Sequence, residues 1–460
     1  MKILNSLPLL AAVAALCGCA GMAPEIAPKI AQKATDVEIP AQWAGAVPPA
    51  DGAVSAAWWQ AFGDPVLDAL VVSALVNNQD LKIAAARLEQ SRALVDGAVA
   101  ERRPRLDASA GAQRGRDGAG SPKMERTALG LRAGWEVDLF GRGAQGVSAA
   151  RADAESVRRG WQAARIALAA DVATAYFELR TIEHRQALRR EAIEVAQRQV
   201  EVSSRKFRAG MATSLDMQRW DSELAQERAA LAQIDGQHQV RLRQLSLLLG
   251  SSQAPALGAA VLPAEVPGAP ATLLPGELLE RRPDVQRQAR ALDAALARAG
   301  VARRDVYPSL QIGWSASRER LAEQGAAVAP QLAVGYGVSL SMPILDGGRI
   351  RANIAVQDAR VAEAMAEYEK AMLGALVDVE SRLSQWSASG SALQEWRRAD
   401  AAAGTAVQHT ARLYEAGTVD MGAVLDARRV HVQSRDALAQ AVGARWEAAV
   451  GLRRAFAGPL

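Results

Sequence analysis

Cysteine and histidine are scarce in this chain of 460 residues, and catalytic motifs built on them are missing. Both cysteines, Cys17 and Cys19, lie at the N-terminus, so no disulfide framework can cross-link the rest of the chain. The four histidines are isolated, and none has a ligand spacing such as H-E-x-x-H. The nucleophile motif G-x-S-x-G and the Walker phosphate loop are also absent. We therefore predict a protein that is not an enzyme and holds no metal.

Aromatic residues make up only 4% of the chain, and the formal net charge is only +4. The charges of both signs are interspersed rather than gathered in a basic stripe, which excludes the electrostatic footprint of a nucleic-acid-binding protein. No internal run of about 18 apolar residues predicts a membrane-spanning helix. Stretches rich in alanine, arginine, glutamate and glutamine instead favour long helices.

The N-terminus has the pattern of a targeting segment. Lys2 supplies a positive charge, and residues 3–16 form a short, mostly apolar segment. Leu16 at −3, Gly18 at −1 and Cys19 at +1 then resemble a bacterial lipobox. This pattern predicts a lipoprotein signal peptide over 1–18 and a covalent lipid on Cys19 as the only attached group, with no other cofactor.

Two other interpretations of the N-terminal cysteines are open. The segment could be a plain secretory signal with incidental cysteines, or Cys17 and Cys19 could form a metal-binding pair. The metal pair is the weaker alternative, because no histidine or cysteine cluster accompanies it. The lipoprotein pattern, with Ala20 rather than aspartate after the lipidated cysteine, implies sorting to the outer membrane. Residues 19–57 would then be a lipidated N-terminal extension.

An internal duplication organises the remaining chain. Equivalent residues recur at an offset of 204–207 positions, which predicts two repeats, 58–250 and 276–460, joined by a Pro/Ala-rich connector, 251–275. The matching pairs include Asp80 and Asp284, Leu88 and Leu292, Pro104 and Pro308, Asp171 and Asp378, and Gly210 and Gly417.

Each repeat contains two segments in which apolar residues alternate with polar residues or glycine. These segments cover 106–113, 129–138, 310–316 and 332–340. Strands of about ten residues with this period are typical of transmembrane barrels. A soluble antiparallel sheet with one buried face has the same period, and that alternative is open. The duplicated pairing and the lipobox favour the barrel.

The number of strands predicts assembly of several copies. Lipid cannot satisfy the hydrogen bonds of an open sheet edge, so a sheet in a membrane must close. Four strands are too few for a closed barrel, and further copies must supply the others, as two or three sets of four. Polar loops over 114–125 and 318–329 would join the strands of each pair on the outer side.

Two segments without proline, 144–209 and 350–416, predict very long helices. At a rise of about 1.5 Å per residue each would extend about 100 Å. Gly210 and Gly417 are placed to end them as C′ residues. Shorter returning helices are predicted near 214–249 and 421–455. Each repeat is therefore predicted to contain a helix, two strands, a long helix and a further helix, in this order. The last two helices would form a hairpin that projects into the periplasm.

Several motifs together resemble the TolC/OprM-type outer membrane factors, in particular the NodT-like lipoproteins of RND efflux systems. They occur at 58–67, 78–81, 281–285, 343–349 and 414–427. The resemblance covers nearly the whole mature chain. It implies a mainly α-helical protein with a membrane β-barrel portion, in which three copies form a twelve-stranded barrel over a periplasmic α-helical tunnel.

The resemblance also implies a function. The homotrimer would lie in outer-membrane lipid and conduct substrates passively from an inner-membrane pump, of RND type, and a periplasmic adaptor protein. Two alternatives are the exit duct of a type I protein secretion system and a structural periplasmic coiled-coil lipoprotein.

In the family the tunnel closes at its periplasmic tip, where each long helix turns into the shorter one. Asp426 matches the position of a pore-lining acidic ring, and Asp216 matches an acidic position in the first repeat. Three copies of each would attract cations. Ala423 departs from the pattern, since some members carry a second acid there, and Met421 is a candidate apolar gate residue. The alternative is that both aspartates are ordinary solvated residues at helix starts.

A formal G-x-G-x-x-G occurs at 141–146, between a strand and a helix. A dinucleotide site needs a buried parallel strand before this motif and an acidic residue about 20 positions later. The preceding strand alternates instead, and no acid follows at that spacing. The motif therefore does not predict a nucleotide site.

Overall fold

Two copies of one succession of helices and strands account for the secondary structure of the chain. The structure is a computed structural model that describes residues 37–45, 57–116, 124–258, 262–263, 265–269, 273–323, 326–327 and 329–457. Cys19 and the predicted signal peptide lie outside the described residues. All elements below belong to one unit, Pro40–Leu460.

The first repeat opens with a short 3₁₀ turn, Trp58–Phe62. Six elements follow it in the order helix, helix, strand, strand, helix, helix. They are α1 (Pro65–Asn77), α2 (Gln79–Ala100), β1 (Arg105–Gly115), β2 (Met124–Val137), α3 (Arg142–Arg208) and α4 (Ser214–Leu248).

The second repeat has the same order and nearly the same lengths. Its elements are α5 (Pro275–Arg281), α6 (Pro283–Arg304), β3 (Ser309–Glu323), β4 (Gln331–Ser341), α7 (Arg349–Glu415) and α8 (Met421–Phe456). A two-residue strand, Ala326–Ala327, pairs with the end of β3. Helices α2 and α6 have 22 residues each, and α3 and α7 have 67 each, which confirms the predicted duplication.

Both long helices begin earlier than the sequence predicts. The carboxylate of Asp138 accepts hydrogen bonds from the backbone N–H groups of Gly143 and Ala144, at 3.0 and 2.7 Å. Asp346 caps α7 in the same way, accepting from Gly348 and Ile350. Because these carboxylates satisfy N–H groups that have no partner inside a helix, they stabilise a first turn slightly before the predicted start of each helix.

The core lies where α1, α3 and α8 meet. The ring of Phe177 stacks on Trp446 with centroids 4.2 Å apart, and Phe62 packs edge-on against both rings. Trp58 and Trp59 are 4% exposed and extend this cluster. Much of the chain's small aromatic content is thus gathered in one place, where it fixes the start of the first repeat against both long hairpins.

The strands form one antiparallel sheet in the order β1-β2-β3-β4. The predicted strand positions are confirmed, but the predicted outer loops are too long. Arg114 pairs with Glu125 in the ladder, and β3 continues to Glu323. The charged residues at these strand ends fall in the predicted loops, whereas the structure shows extended, paired backbone there.

Among the described residues, none of the helices has both the length and the hydropathy required to cross a bilayer.

Candidate membrane sheet and channel tip

The register of the sheet gathers the apolar residues of all four strands on one face. Ala108 lies opposite Leu131, which lies opposite Ala316, which lies opposite Val334. Leu131 and Val334 are 43% and 59% exposed, so this apolar face is uncovered in a single chain. An exposed, continuous apolar sheet face suits contact with lipid rather than water.

The opposite face carries small and polar side chains. One cross-strand row runs Asp107, Arg132, Ser315 and Gly335. Gly130 lies on this face with little room beside it, since a Cβ there would lie 3.0 Å from Ser109 Oγ. A polar surface of small side chains is typical of the interior of a conducting barrel.

Two sheet edges have no partner among the described residues. Strand β1 pairs only with β2, and β4 pairs only with β3. Each edge therefore presents a row of backbone N–H and C=O groups. A sheet of this kind cannot enter lipid until both rows are paired.

The first helical tip is a compact turn held by backbone bonds. After α3 ends, Gly210 takes a positive φ of 69°. The N–H of Met211 donates to Lys206 O at 2.8 Å, and that of Gly210 donates to Phe207 O at 2.9 Å. This pair of bonds is the Schellman ending, which needs a left-handed residue at C′. Gly417 ends α7 with the same geometry, and both predicted helix ends are confirmed.

Asp216 lies at the start of α4, within a capping box. Its carboxylate accepts from Thr213 N at 3.1 Å and Thr213 Oγ1 at 2.7 Å, while Thr213 Oγ1 accepts from Asp216 N. The hydroxyl of Thr213 is the main cause of a lowered pKa at Asp216. The carboxylate is therefore charged at neutral pH. Through these hydrogen bonds the Asp216 carboxylate stabilises the turn between α3 and α4.

The second tip is capped by a residue that the sequence analysis did not single out. Asp420 is the N-cap of α8 and accepts from Ala423 N at 3.1 Å. Met421 is the first residue of this helix and is half-buried. Asp426 is exposed one turn later and pairs with Arg429 at 2.9 Å. An aspartate three residues after a helix-ending glycine and three before the capped N–H is the signal that could have identified Asp420.

Arg219 connects the two tips. Its Nη1 lies 3.8 Å from Asp420 Oδ2, and its charge also contributes to the lowered pKa of Asp216. Arg219 thus interacts electrostatically both with Asp216, the first predicted gate residue, and with Asp420 of the second tip. Asp426, the other predicted aspartate, is balanced instead by an arginine of its own helix.

Further from the tips, a largely buried ion-pair network holds three helices together. Arg189 of α3 contacts Glu227 of α4 at 2.9 Å and Asp436 of α8 at 3.6 Å. Arg185 pairs with the same Asp436 at 2.8 Å. Removing one member would leave an uncompensated charge, which is strongly destabilising in a buried site. No sequence signal connects these residues, because they are up to 251 positions apart.

A cavity of about 220 Å³ adjoins this network, lined by Trp220, Glu223, Arg428 and His431 among others. Burial is the main cause of a raised pKa at Glu223 and of a lowered pKa at Arg428. The guanidinium of Arg428 lies over the Trp220 ring, 5.7 Å from its centroid. No cluster of possible metal ligands occurs in the part of the chain that the structure describes.

An outward apolar sheet face, a polar inner face and two long helical hairpins define one protomer of an outer-membrane channel. The sequence profile of the family described as "Outer membrane efflux protein" matches residues 70–251 and 274–458. The chain belongs to this family. The profile matches twice, once in each half of the duplicated fold.

Named relatives agree with this membership. The pyoverdine export outer membrane protein OpmQ of Pseudomonas aeruginosa is 31% identical over 414 residues, covering 87% of each chain. The probable outer membrane lipoprotein SilC of Salmonella typhimurium is 26% identical, covering 90% of each. The solved outer-membrane channel OprN superposes with a TM-score of 0.81 at 30% identity, covering 92% of this chain and 98% of OprN.

These findings confirm the predicted resemblance, fold class, outer-membrane location and function as an efflux channel. The predicted homotrimer is confirmed as well. So are the predicted partners in a tripartite efflux system, the periplasmic adaptor and the inner-membrane pump. Lipidation of Cys19 and a gate at Asp216, Asp426 and Met421 are not tested by them and stay predictions.

Proposed function

We propose that the chain is a passive, non-catalytic exit duct whose barrel is closed by pairing β1 of one copy with β4 of the next. The observation that carries this proposal is the pair of free edges on a sheet with one apolar face. Three copies supply twelve strands, so every edge finds a partner, and the apolar faces together make one continuous outward surface.

The helical hairpins then form the duct below the barrel. At a rise of about 1.5 Å per residue, the 67 residues of α3 cover about 100 Å. Three copies bring six tips together around one axis. Asp216, Asp426 and Met421 lie in or just after these turns, which supports their proposed place at the constriction. A ring of carboxylates there would attract cations and repel anions at the narrowest point.

Native mass spectrometry of the protein in mild detergent tests the closure. Three copies are expected, together with the heat-modifiable gel migration of a closed barrel. A monomer that keeps an intact barrel would contradict the proposal.

We also propose that the mature chain begins at Cys19 and is held at the membrane by a lipid on that residue. The sequence Leu16-Cys17-Gly18-Cys19 supports this, and so does the similarity to SilC, a probable outer membrane lipoprotein. The lipid would add to the attachment that the barrel itself supplies.

Small-molecule efflux is favoured over protein secretion as the task of the duct. OpmQ, which is named for pyoverdine export, aligns over 87% of this chain. A deletion strain should accumulate small-molecule substrates of its pump and keep normal protein secretion. The reverse result would assign the duct to a type I secretion system.

A further inference from the structure

Two arginines interrupt the apolar face of β3. Arg318 and Arg320 follow Leu310, Ile312, Trp314 and Ala316 at every second position, so all point to the side of the sheet that faces lipid. Both arginines are exposed, and neither has an ion pair or hydrogen bond to any residue that the structure describes. Their side chains leave the strand about 7 Å apart.

The position of this pair along the sheet is well defined by the register. Arg318 lies between Leu129 of β2 and Leu332 of β4, which are 57% and 72% exposed. Arg320 lies one step further out, opposite Thr127. Strand β3 ends shortly beyond this level, at Glu323, so the arginines mark the outer end of the apolar face.

Aromatic side chains lie nearer to the helices on the same face. Trp314 lies opposite Tyr336, and Trp135 lies opposite Ile312, one row nearer to the helices. Apolar residues continue beyond them, with Leu310 opposite Leu340. The apolar face thus extends four rows from Arg318 toward the helices and has a cationic outer border.

Two other arginines at the outer end are neutralised by carboxylates. Arg114 pairs with Glu125 at 2.5 Å, and Arg126 of the polar face pairs with Glu319. Arg318 and Arg320 have no such partner among the described residues, and neither has the exposed Arg116 just beyond the end of β1. Long arginine stems can lie along the leucines while the guanidinium groups reach the head-group region.

We propose that Arg318 and Arg320 form a binding site for the phosphate groups of lipopolysaccharide in the outer leaflet, once on each protomer. The guanidinium group binds phosphate through two parallel N–H donors, and two such groups at this spacing suit a lipid with several phosphates. The apolar neighbours Leu129 and Leu332 would contact its acyl chains. The site rests on the outward orientation of this face in the proposed barrel.

The test measures lipopolysaccharide retained by the full-length trimer. Wild type and the variant R318Q/R320Q are incubated with phosphatidylcholine vesicles containing lipopolysaccharide, extracted in mild detergent and assayed for bound lipid by native mass spectrometry. The double variant should retain about tenfold less, since it lacks both charge-assisted donors. Vesicles with phosphatidylglycerol in place of lipopolysaccharide, and added inorganic phosphate as a competitor, distinguish this ligand from any anionic lipid or free phosphate.

Arg132→Gln is the matched control, because Arg132 is an exposed arginine on the polar face of the neighbouring strand. It should retain as much lipopolysaccharide as wild type. Heat-modifiable migration reports separately whether the barrel closes, so a failed barrel and a failed lipid site give different results. If R318Q/R320Q does not assemble, R318K/R320K preserves the charge and should bind more weakly through loss of the two-donor geometry. Equal retention by assembled wild type and R318Q/R320Q would overturn the proposal, as would equal retention of phosphatidylglycerol.

Discussion

Arg219 of α4 lies 3.8 Å from Asp420, the residue that caps α8, and so joins the tips of the two helical hairpins within one chain. Both side chains are exposed, and a single pair of this kind contributes only about 0–1 kcal/mol. Three such pairs, one in each protomer, would nevertheless act together on the same constriction.

Replacing Arg219 with alanine should therefore loosen the tip and raise the single-channel conductance in planar bilayers. The change is made at Arg219 because Asp420 also caps a helix, and its loss would disturb α8 itself. Arg228→Ala is a suitable control, since this exposed arginine lies on α4 two turns further from the tip. Identical conductance of Arg219→Ala and wild type would show that the pair does not restrict the opening.

The predicted acidic ring is tested by cation block. Asp216→Asn keeps an acceptor for the capping box with Thr213, and Asp426→Asn likewise removes charge with little change of shape. The double variant should be blocked less strongly by an added trivalent cation, because fewer carboxylates remain to bridge. Current is measured against cation concentration, with Asp171→Asn in the body of α3 as the control. Block as strong as in wild type would place the constriction elsewhere, with Met421 as the next residue to change.

The lipid-facing assignment leads to a prediction about the sheet. Leu131→Arg or Val334→Arg should impair barrel assembly, at a cost of at most about 2–4 kcal/mol, the penalty for an arginine at the bilayer midplane. Ser339→Asn on the polar face should be tolerated. Gly130, which alternation alone also marks as tolerant, is a poor control because its Cβ would crowd Ser109. Heat-modifiable migration measures the outcome, and equal tolerance on both faces would contradict the assignment.

A hydrogen bond between Tyr176 and Asp64 gives a stability prediction. The phenol donates to Asp64 Oδ2, while Oδ1 of the same carboxylate caps α1 through the N–H groups of Val66 and Leu67. Tyr176→Phe should cost about 1.5–3 kcal/mol, as expected for a hydrogen bond to a charged group. Thermal melting of the trimer measures the loss, and an unchanged melting temperature would refute it.

The same tyrosine predicts a loss of stability at alkaline pH. Burial, together with the bond to Asp64, raises the pKa of Tyr176 to about 12. In the unfolded chain the phenol ionises near pH 10. The unfolded state therefore loses its proton first, and folding stability falls as pH rises from about 10 to 12. Tyr176→Phe should show a shallower decline over this range, while identical pH profiles would contradict the assignment.

Lipidation is tested by palmitate labelling in cells. Cys19→Ser should abolish the label, and Cys17→Ser should leave it, because only Cys19 follows a small residue at the cleavage position. Membrane association should partly persist in the Cys19 variant, since the barrel inserts independently. Label that survives Cys19→Ser would exclude this site.

The sequence alone supported the duplication, the strands and the helix ends for physical reasons. Alternation fixes which strand residues share a face, and Gly210 and Gly417 supply the left-handed conformation that ends a helix. Thr213 and Asp216 have the three-residue spacing of a capping box, although this box was not predicted. The contacts of Arg219 with Asp420 and of Arg189 with Asp436 depend on how helices pack, and no local pattern carries that information.

The two unpaired edges of the sheet also constrain how the protein is made. A newly exported chain carries an uncovered apolar sheet face and two rows of unsatisfied backbone groups, the features that make sheets aggregate. Since no single copy can bury them, insertion must await the encounter of three chains, and its rate should depend steeply on their concentration. Until that encounter the sheet needs a chaperone or the membrane surface as temporary cover, and slow export would favour degradation over assembly.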